Sequence, residues 1–306
     1  MSSNMWWGII LYVALVPAVI IAIALIYGSN RLRATTKEMN VKLEEARVPI
    51  NTMRYDEKEL EGLPAPVQRY FHSALMDGQK IITAVYMKQS GTFNMSETGA
   101  QWKMFTATQQ VITSRPGFDW DARIKMAPLT VVNVHDAYIA GEGILNASLY
   151  GLATLASLRG TPEVAQGELM RFLAEAAWYP TALLPSQGVH WETVDDKSAK
   201  ATLKDGKTTV TVLYHFNEDN TIESVSAERP RMVGEKMIPT KWEGRWSNYE
   251  KRNGMRVPLE GEVAWMQIKG RVPYWRGYVT NLRYEFAEQS QVQACKVANL
   301  PATIGK

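Results

Sequence analysis

The chain has 306 residues, and its 34 Lys and Arg against 31 Asp and Glu leave a formal charge of +3. So slight a basic excess excludes a dedicated nucleic-acid binder, which needs a concentrated basic surface, and 46% hydrophobic with 21% charged residues excludes global disorder. The single cysteine, Cys295, excludes a disulfide framework and a thiolate zinc cluster.

The first thirty residues contain no Asp, Glu, Lys or Arg, and Trp6 to Tyr27 is apolar except for small residues and Pro17. As a helix this run covers ~33 Å, enough for a hydrocarbon core of ~30 Å. Trp6, Trp7 and Tyr27 stand at its ends, where amphipathic rings favour the headgroup layer. A cleaved signal peptide fits less well, because the basic leader is missing and the run is long. Residues 1–30 therefore read as a membrane anchor crossing at residues 6–27. Arg31, Arg33 and Lys37 follow the span and none precedes it, so the positive-inside rule favours a cytoplasmic C-terminal domain.

Residues 31–60 are polar and read as a juxtamembrane helix ending before Pro49 and then a tether. Pro66 suits the first turn of a helix in which Val67, Tyr70, Phe71 and Leu75 share one face. From Ile81 the helical period is lost. Apolar β-branched and aromatic residues then predict strands near 81–87, 103–113, 120–126, 131–139 and 143–150. Thr161-Pro162 opens a helix whose apolar stripe is Leu169, Phe172, Leu173 and Ala176. That helix ends at Trp178-Tyr179-Pro180, and a short turn follows before Pro185. Asp205-Gly206, Asn253-Gly254 and Lys269-Gly270 mark turns between strands at 199–204, 208–216, 242–250, 256–266 and 274–286. Hairpins in series imply an antiparallel sheet. The fold class is α+β: an N-terminal transmembrane helix, then a curved, half-barrel-like antiparallel sheet packed by one or two helices. The α+β domain is taken as residues 61–288, with a loose tail at 289–306.

Several segments carry a family resemblance. They are Leu63–Phe71 (LPAPVQRYF), Pro116–Trp120 (PGFDW), Asp136–Tyr138, Gln166–Pro185 (QGELMRFLAEAAWYPTALLP) and Trp242–Gly244 (WEG). Together they resemble a bacterial membrane-anchored domain family of unknown function, over roughly residues 60–286. The resemblance implies an address and no mechanism. The strand–helix–strand order is also similar to carrier folds that hold lipid chains or lipoproteins in a curved half-barrel, an analogy of fold alone.

Few groups suggest chemistry. Glu168, Arg171 and Glu175 recur on one helix face. The plain interpretation is a solvated ion ladder worth ~0.2–0.5 kcal/mol per pair; the sharper one is a buried acid–base cluster held by a cation. His135-Asp136 and His190-Trp191-Glu192 place imidazoles beside carboxylates, but strand neighbours point to opposite faces, so adjacency makes no dyad. Ser186 lacks a nucleophile elbow, and Gly141-Glu-Gly143 lacks the third glycine of a dinucleotide loop. No catalytic residue, metal site or cofactor is assigned.

The distinctive composition is ten Trp beside thirteen Tyr and seven Phe. Such rings pack a sheet–helix core or line an apolar pocket. The pocket candidates are Trp120, Trp178, Tyr179, Trp191 and Trp242, with Glu168, Arg171 and Glu175 fixing the helix or a polar head group. The leading expectation is a membrane-anchored domain that binds a lipid or other hydrophobic ligand. The alternatives are an accessory or structural subunit docked on a membrane-protein partner, and a hydrolase using Glu168 and Glu175.

Overall fold

A long helix α1 (Ser3–Glu45) precedes a short helix α2 (Ala65–Ala74) and six strands: β1 (Ile82–Asn94), β2 (Trp102–Ile112), β3 (Gly117–Ala127), β4 (Thr130–Ile139), β5 (Glu142–Leu149) and β6 (Ala153–Arg159). Helix α3 (Pro162–Glu175) and three short 3-10 turns follow. Seven more strands complete the fold: β7 (His190–Asp195), β8 (Ser198–Asp205), β9 (Thr208–Phe216), β10 (Ile222–Val233), β11 (Lys236–Arg252), β12 (Met255–Gln267) and β13 (Gly270–Phe286). This is a computed structural model, and it describes residues 3–96 and 99–288. The expected tail at 289–306 lies outside the described residues.

All the strands join one antiparallel sheet in the order β6-β5-β4-β3-β2-β1-β13-β12-β11-β10-β9-β8-β7. Two meanders meet at β1 and β13, and α3 is the connection between their far edges. The sheet curls so strongly that α3 packs on β3, β4 and β5 of one wing and on β9 and β10 of the other. Tyr138 Oη of β4 donates to Asp205 Oδ2 of β8 at 3.0 Å, which brings near-opposite ends of the strand order together. The architecture is a half-barrel with α3 across its concave face.

A row of glycines permits part of this bend. Gly91, Gly277 and Gly261 stand opposite one another on β1, β13 and β12. A Cβ on Gly277 would lie 2.4 Å from the Trp275 ring, and one on Gly261 would lie 2.7 Å from the Trp246 ring. The indoles therefore lie flat where side chains would otherwise stand, and strands lacking side chains bend readily.

Three strands escape prediction, each for a local reason. Edge strands β6 and β7 are largely exposed, so neither shows the apolar alternation of a half-buried strand. Strand β10 contains Pro230, which argues against a central strand. Pro230 stands opposite Pro239, beyond the reach of the β9 and β12 pairings, so the missing N–H groups leave no outer neighbour unpaired.

The polar segment 31–60 is not a free tether. Helix α1 runs unbroken through Glu45, and Met39 and Leu43 pack with Ala84, Ile112, Ala137, Ile139 and Ile144 on the convex face of the sheet. Ile50, Tyr55 and Leu60 join the main core. This explains why both faces of the first strand are apolar: Val85 and Met87 face the main core, while Ala84 faces α1. Toward its N-terminus α1 exposes Val13, Leu15, Ile20, Ile21 and Ile23, which point in every direction around the helix. By length and composition α1 can cross a membrane.

Candidate functional site

Helix α3 starts at Thr161, whose hydroxyl accepts from the Val164 N–H, and Pro162 occupies the first turn. Leu169, Phe172 and Leu173 are buried against the sheet. The rest of the helix roofs a cavity of about 410 Å³. Its apolar wall includes Trp120 of β3, Trp242 and Trp246 of β11, Trp265 of β12, and Tyr274 and Trp275 of β13.

The polar groups of this cavity lie along α3 and its partner strands. Arg171 Nε donates to Glu175 Oε1 at 2.7 Å and Arg171 Nη1 to Asp136 Oδ2 at 2.6 Å. Its guanidinium lies over Phe118 and Trp120, 4.8 and 5.2 Å from the ring centres. A buried chain of amides continues from there. Gln109 donates to Glu175 Oε2 at 2.6 Å, Gln89 donates to Gln109 at 3.1 Å, and the Trp120 indole donates to Gln89 at 2.8 Å. Arg229 of β10 forms the second half. Its Nη2 donates to Glu168 Oε1 at 2.8 Å and its Nε to the Gly167 carbonyl at 2.9 Å. Tyr274 Oη accepts from the Trp242 indole at 2.9 Å beside it.

Glu168 Oε2 and Asp136 Oδ1 are buried with no donor from any other side chain, and the Glu168 and Asp136 carboxyl groups lie within hydrogen-bonding reach of each other. Burial raises the Glu168 pKa to about 8, and the nearby Asp136 carboxylate adds to the rise against the pull of Arg229 and Arg171. Burial disfavours the Arg171 cation, yet Glu175, Asp136 and Glu168 hold its pKa above the ordinary value. Three carboxyl groups thus surround two guanidiniums, and the raised Glu168 pKa favours its protonated form beside these cations, at the polar side of an apolar chamber.

The candidate residues divide. Trp120, Trp242, Glu168, Arg171 and Glu175 line the cavity, and the solvated ladder expected from helix spacing is instead a buried network. Trp178, Tyr179 and Trp191 do not line it. The 3-10 turns after α3 carry Trp178 and Tyr179, and β7 carries Trp191, into the solid core. Trp178 packs edge-on to Trp246 with ring centres 4.8 Å apart, and Tyr179 Oη donates to the Phe172 carbonyl at 2.6 Å. Trp191 donates to the Leu183 carbonyl at 2.9 Å and packs on Tyr214. Sequence reasoning missed Arg229, Tyr274, Gln89 and Gln109. The one available signal was parity: Gln89 shares the inward face of β1 with Val85 and Met87, where a glutamine needs a partner.

The histidine pairs resolve as alternation predicts. His135 faces α1, where its Nδ1 lies 3.0 Å from Asp119 Oδ1 and its Nε2 lies 3.3 Å from Thr36 Oγ1, while Asp136 faces the cavity. Burial opposes the His135 cation, but the Asp119 and Asp121 carboxylates raise its pKa overall. His190 is exposed on edge strand β7, 3.9 Å from Glu192. Among the described residues no group of three or more His, Cys, Asp or Glu is placed to hold a metal.

No curated protein matches this chain. Among solved structures, the LolA superfamily protein NE2245 from Nitrosomonas europaea is similar, with 12% identity and a TM-score of 0.38 over 73% of this chain and 96% of that one. A beta-barrel-like protein of the domain of unknown function DUF1849 from Brucella abortus aligns with 12% identity and a TM-score of 0.22, over 67% of this chain and 99% of the other. The model of one family matches residues 61–284, which take in both meanders, α3 and the cavity; the chain belongs to this family of unknown function, DUF6920.

Proposed function

We propose that the protein is a membrane-anchored carrier or receptor for a lipid or another hydrophobic ligand, held in the cavity beneath α3. The observation that carries this is the partition of the cavity: indole and phenol rings form its wall, and its polar side is the Arg171–Glu175–Asp136 and Arg229–Glu168 network. An acyl chain gains ~0.8 kcal/mol per buried CH₂. The Glu168–Asp136 carboxyl pair offers acceptor oxygens to a head group with hydrogen-bond donors. The apolar stretch of α1 anchors the domain, and Arg31, Arg33 and Lys37 favour its placement on the cytoplasmic face.

The test is to purify the full chain in detergent, identify co-purified lipids by mass spectrometry, and titrate the delipidated protein with fatty acids and phospholipids by tryptophan fluorescence. No retained lipid and no saturable change rejects the proposal.

One observation favours a second reading, a hydrolase. Glu168, with its pKa raised to about 8, faces Asp136 inside a cavity, as an acid–base pair requires. Glu175 is a poorer candidate, because Arg171 and Gln109 occupy both its oxygens. Turnover of a bound ester that disappears in Glu168→Gln, with binding retained, selects this reading over the carrier.

A further inference from the structure

Five turns of the sheet lie at one end. Strands β1, β3 and β5 run toward that end, which places the β1–β2, β3–β4 and β5–β6 turns there. Phe93, near the end of β1, stands opposite Trp275, near the start of β13, so the β12–β13 turn lies there too. The β10–β11 turn joins them through the pairing of Trp242 with Trp265.

Helix α1 points to the same end. Leu43 packs on Gly117 at the start of β3, Thr36 donates to Asp121 within β3 at 2.9 Å, and Gly28 meets Tyr150 just past the end of β5. The contact at Gly28 is close: a Cβ there would lie 2.2 Å from the Tyr150 carbonyl oxygen. Read toward lower residue numbers, the helix climbs the convex face and reaches these turns at Gly28. Its charge-free apolar stretch begins at the next residue, Tyr27, and continues beyond them.

The turns themselves are apolar and exposed. Leu129 is 86% exposed and Ile268 fully so, and Met95, Leu152 and Val233 are exposed beside them. Single exposed apolar residues are ordinary, but five on the rim from which an apolar helix departs mark an interaction surface. Lys103, Lys125, Lys236 and Lys269 flank these positions, against Glu235 among the described residues of the same segments. The cavity opens at this rim as well, since Met95, Met232, Met237 and Gln267 line it.

We propose that this rim rests on the surface of the bilayer that α1 spans, with Leu129 and Ile268 in the interfacial layer and the lysines on anionic headgroups. The mouth of the cavity then faces lipid, and an apolar ligand passes between bilayer and cavity without crossing water. This rests on the anchor reading of α1. It extends that reading by assigning the domain one orientation, turn rim down. Lysines next to an anionic surface add attraction to its headgroups, and apolar turn residues add burial in the interface.

The experiment uses the full chain with Cys295→Ser and one added cysteine, Leu129→Cys, Ile268→Cys or Lys251→Cys. Lys251 is exposed beside the β11–β12 turn, at the opposite end of the sheet. Each variant is labelled with a polarity-sensitive fluorophore and reconstituted in phosphatidylethanolamine–phosphatidylglycerol liposomes. The expected result is loss of emission with brominated acyl chains at 129 and 268 but not at 251, and quenching by aqueous iodide at 251 only. Removing phosphatidylglycerol should weaken the lipid quenching. Iodide quenching at all three positions, on a chain that floats with the liposomes, overturns the docked rim and leaves the anchor standing. Labels at 129 and 268 shielded from both quenchers mean that protein covers the rim, which also overturns the proposal. A chain that fails to float overturns the anchor and the proposal together.

Discussion

Arg171 Nη1 lies 2.6 Å from Asp136 Oδ2, and this ion pair ties α3 to β4 on one wing of the curled sheet. Arg229 Nη2 and Glu168 Oε1, 2.8 Å apart, tie the same helix to β10 on the other wing. The helix is thus pinned from both sides through charges that also line the cavity. Removing Arg171 leaves Asp136 and Glu175 buried without their cation, so Arg171→Met should destabilise the protein by about 3–5 kcal/mol. Adding Asp136→Asn should recover part of that loss. Urea unfolding of the single and double variants checks this, and strict additivity would mean the pair is not coupled.

Glu168 links stability to pH. Its folded pKa of about 8 lies above the ordinary 4.5, so the folded state holds this proton more tightly than the unfolded state. The associated stability is fully present below pH 4.5 and is lost as pH rises through about 8, at up to about 1.4 kcal/mol per pH unit. Glu168→Gln keeps an acceptor for Arg229 and cannot ionise. Its melting temperature should therefore fall less between pH 5 and 8 than that of the unmodified chain. Parallel pH profiles would refute the shift.

Phe172 is buried between α3 and the sheet, with its ring 5.4 Å from that of Tyr179. Phe172→Ala should destabilise by about 3–5 kcal/mol. An unchanged denaturation midpoint would mean that the helix does not seat on the sheet as described.

Cavity filling separates wall from core. Val263 lines the cavity and is half-buried, so Val263→Trp should weaken acyl-ligand binding by about tenfold or more, or ~1.4 kcal/mol. Trp191→Phe alters a core indole outside the cavity and should leave affinity unchanged. Fluorescence titration of both variants distinguishes a specific cavity from diffuse surface binding, for which the two would behave alike.

Gly28 and Gly151 allow α1 to touch the β5–β6 turn. A Cβ on Gly151 would lie 2.6 Å from the Gly28 carbonyl oxygen, and its φ of +72° disfavours other residues. Gly28→Val should lift this part of α1 off the sheet, seen as faster protease cleavage at Arg31 and Arg33. Unchanged cleavage would mean that the contact does not hold the helix.

Much of the architecture was legible in local chemistry. The charge-free run before Arg31, the Thr161-Pro162 start of α3, and the Asp205-Gly206 and Asn253-Gly254 turns act over a few residues, and strand and helix signals are local in the same way. The site was legible only in outline. Helix spacing placed Glu168, Arg171 and Glu175 together, but whether that face met water or a second charged strand depended on Arg229, 61 residues from Glu168, and on how far the sheet curls. Trp178 and Trp191 belong to the core, and Trp265 and Trp275 to the cavity wall, because of which side of a bent sheet each indole reaches. Part of that bend is permitted by glycines on β1, β12 and β13 meeting in register, a coincidence among distant segments that no single segment encodes. Composition and periodicity therefore determined most of the elements and their order, but not the exposed edge strands β6 and β7 or the proline-bearing β10. The closing of the two wings on α3 decided which polar groups lost water, and with it where a ligand can bind.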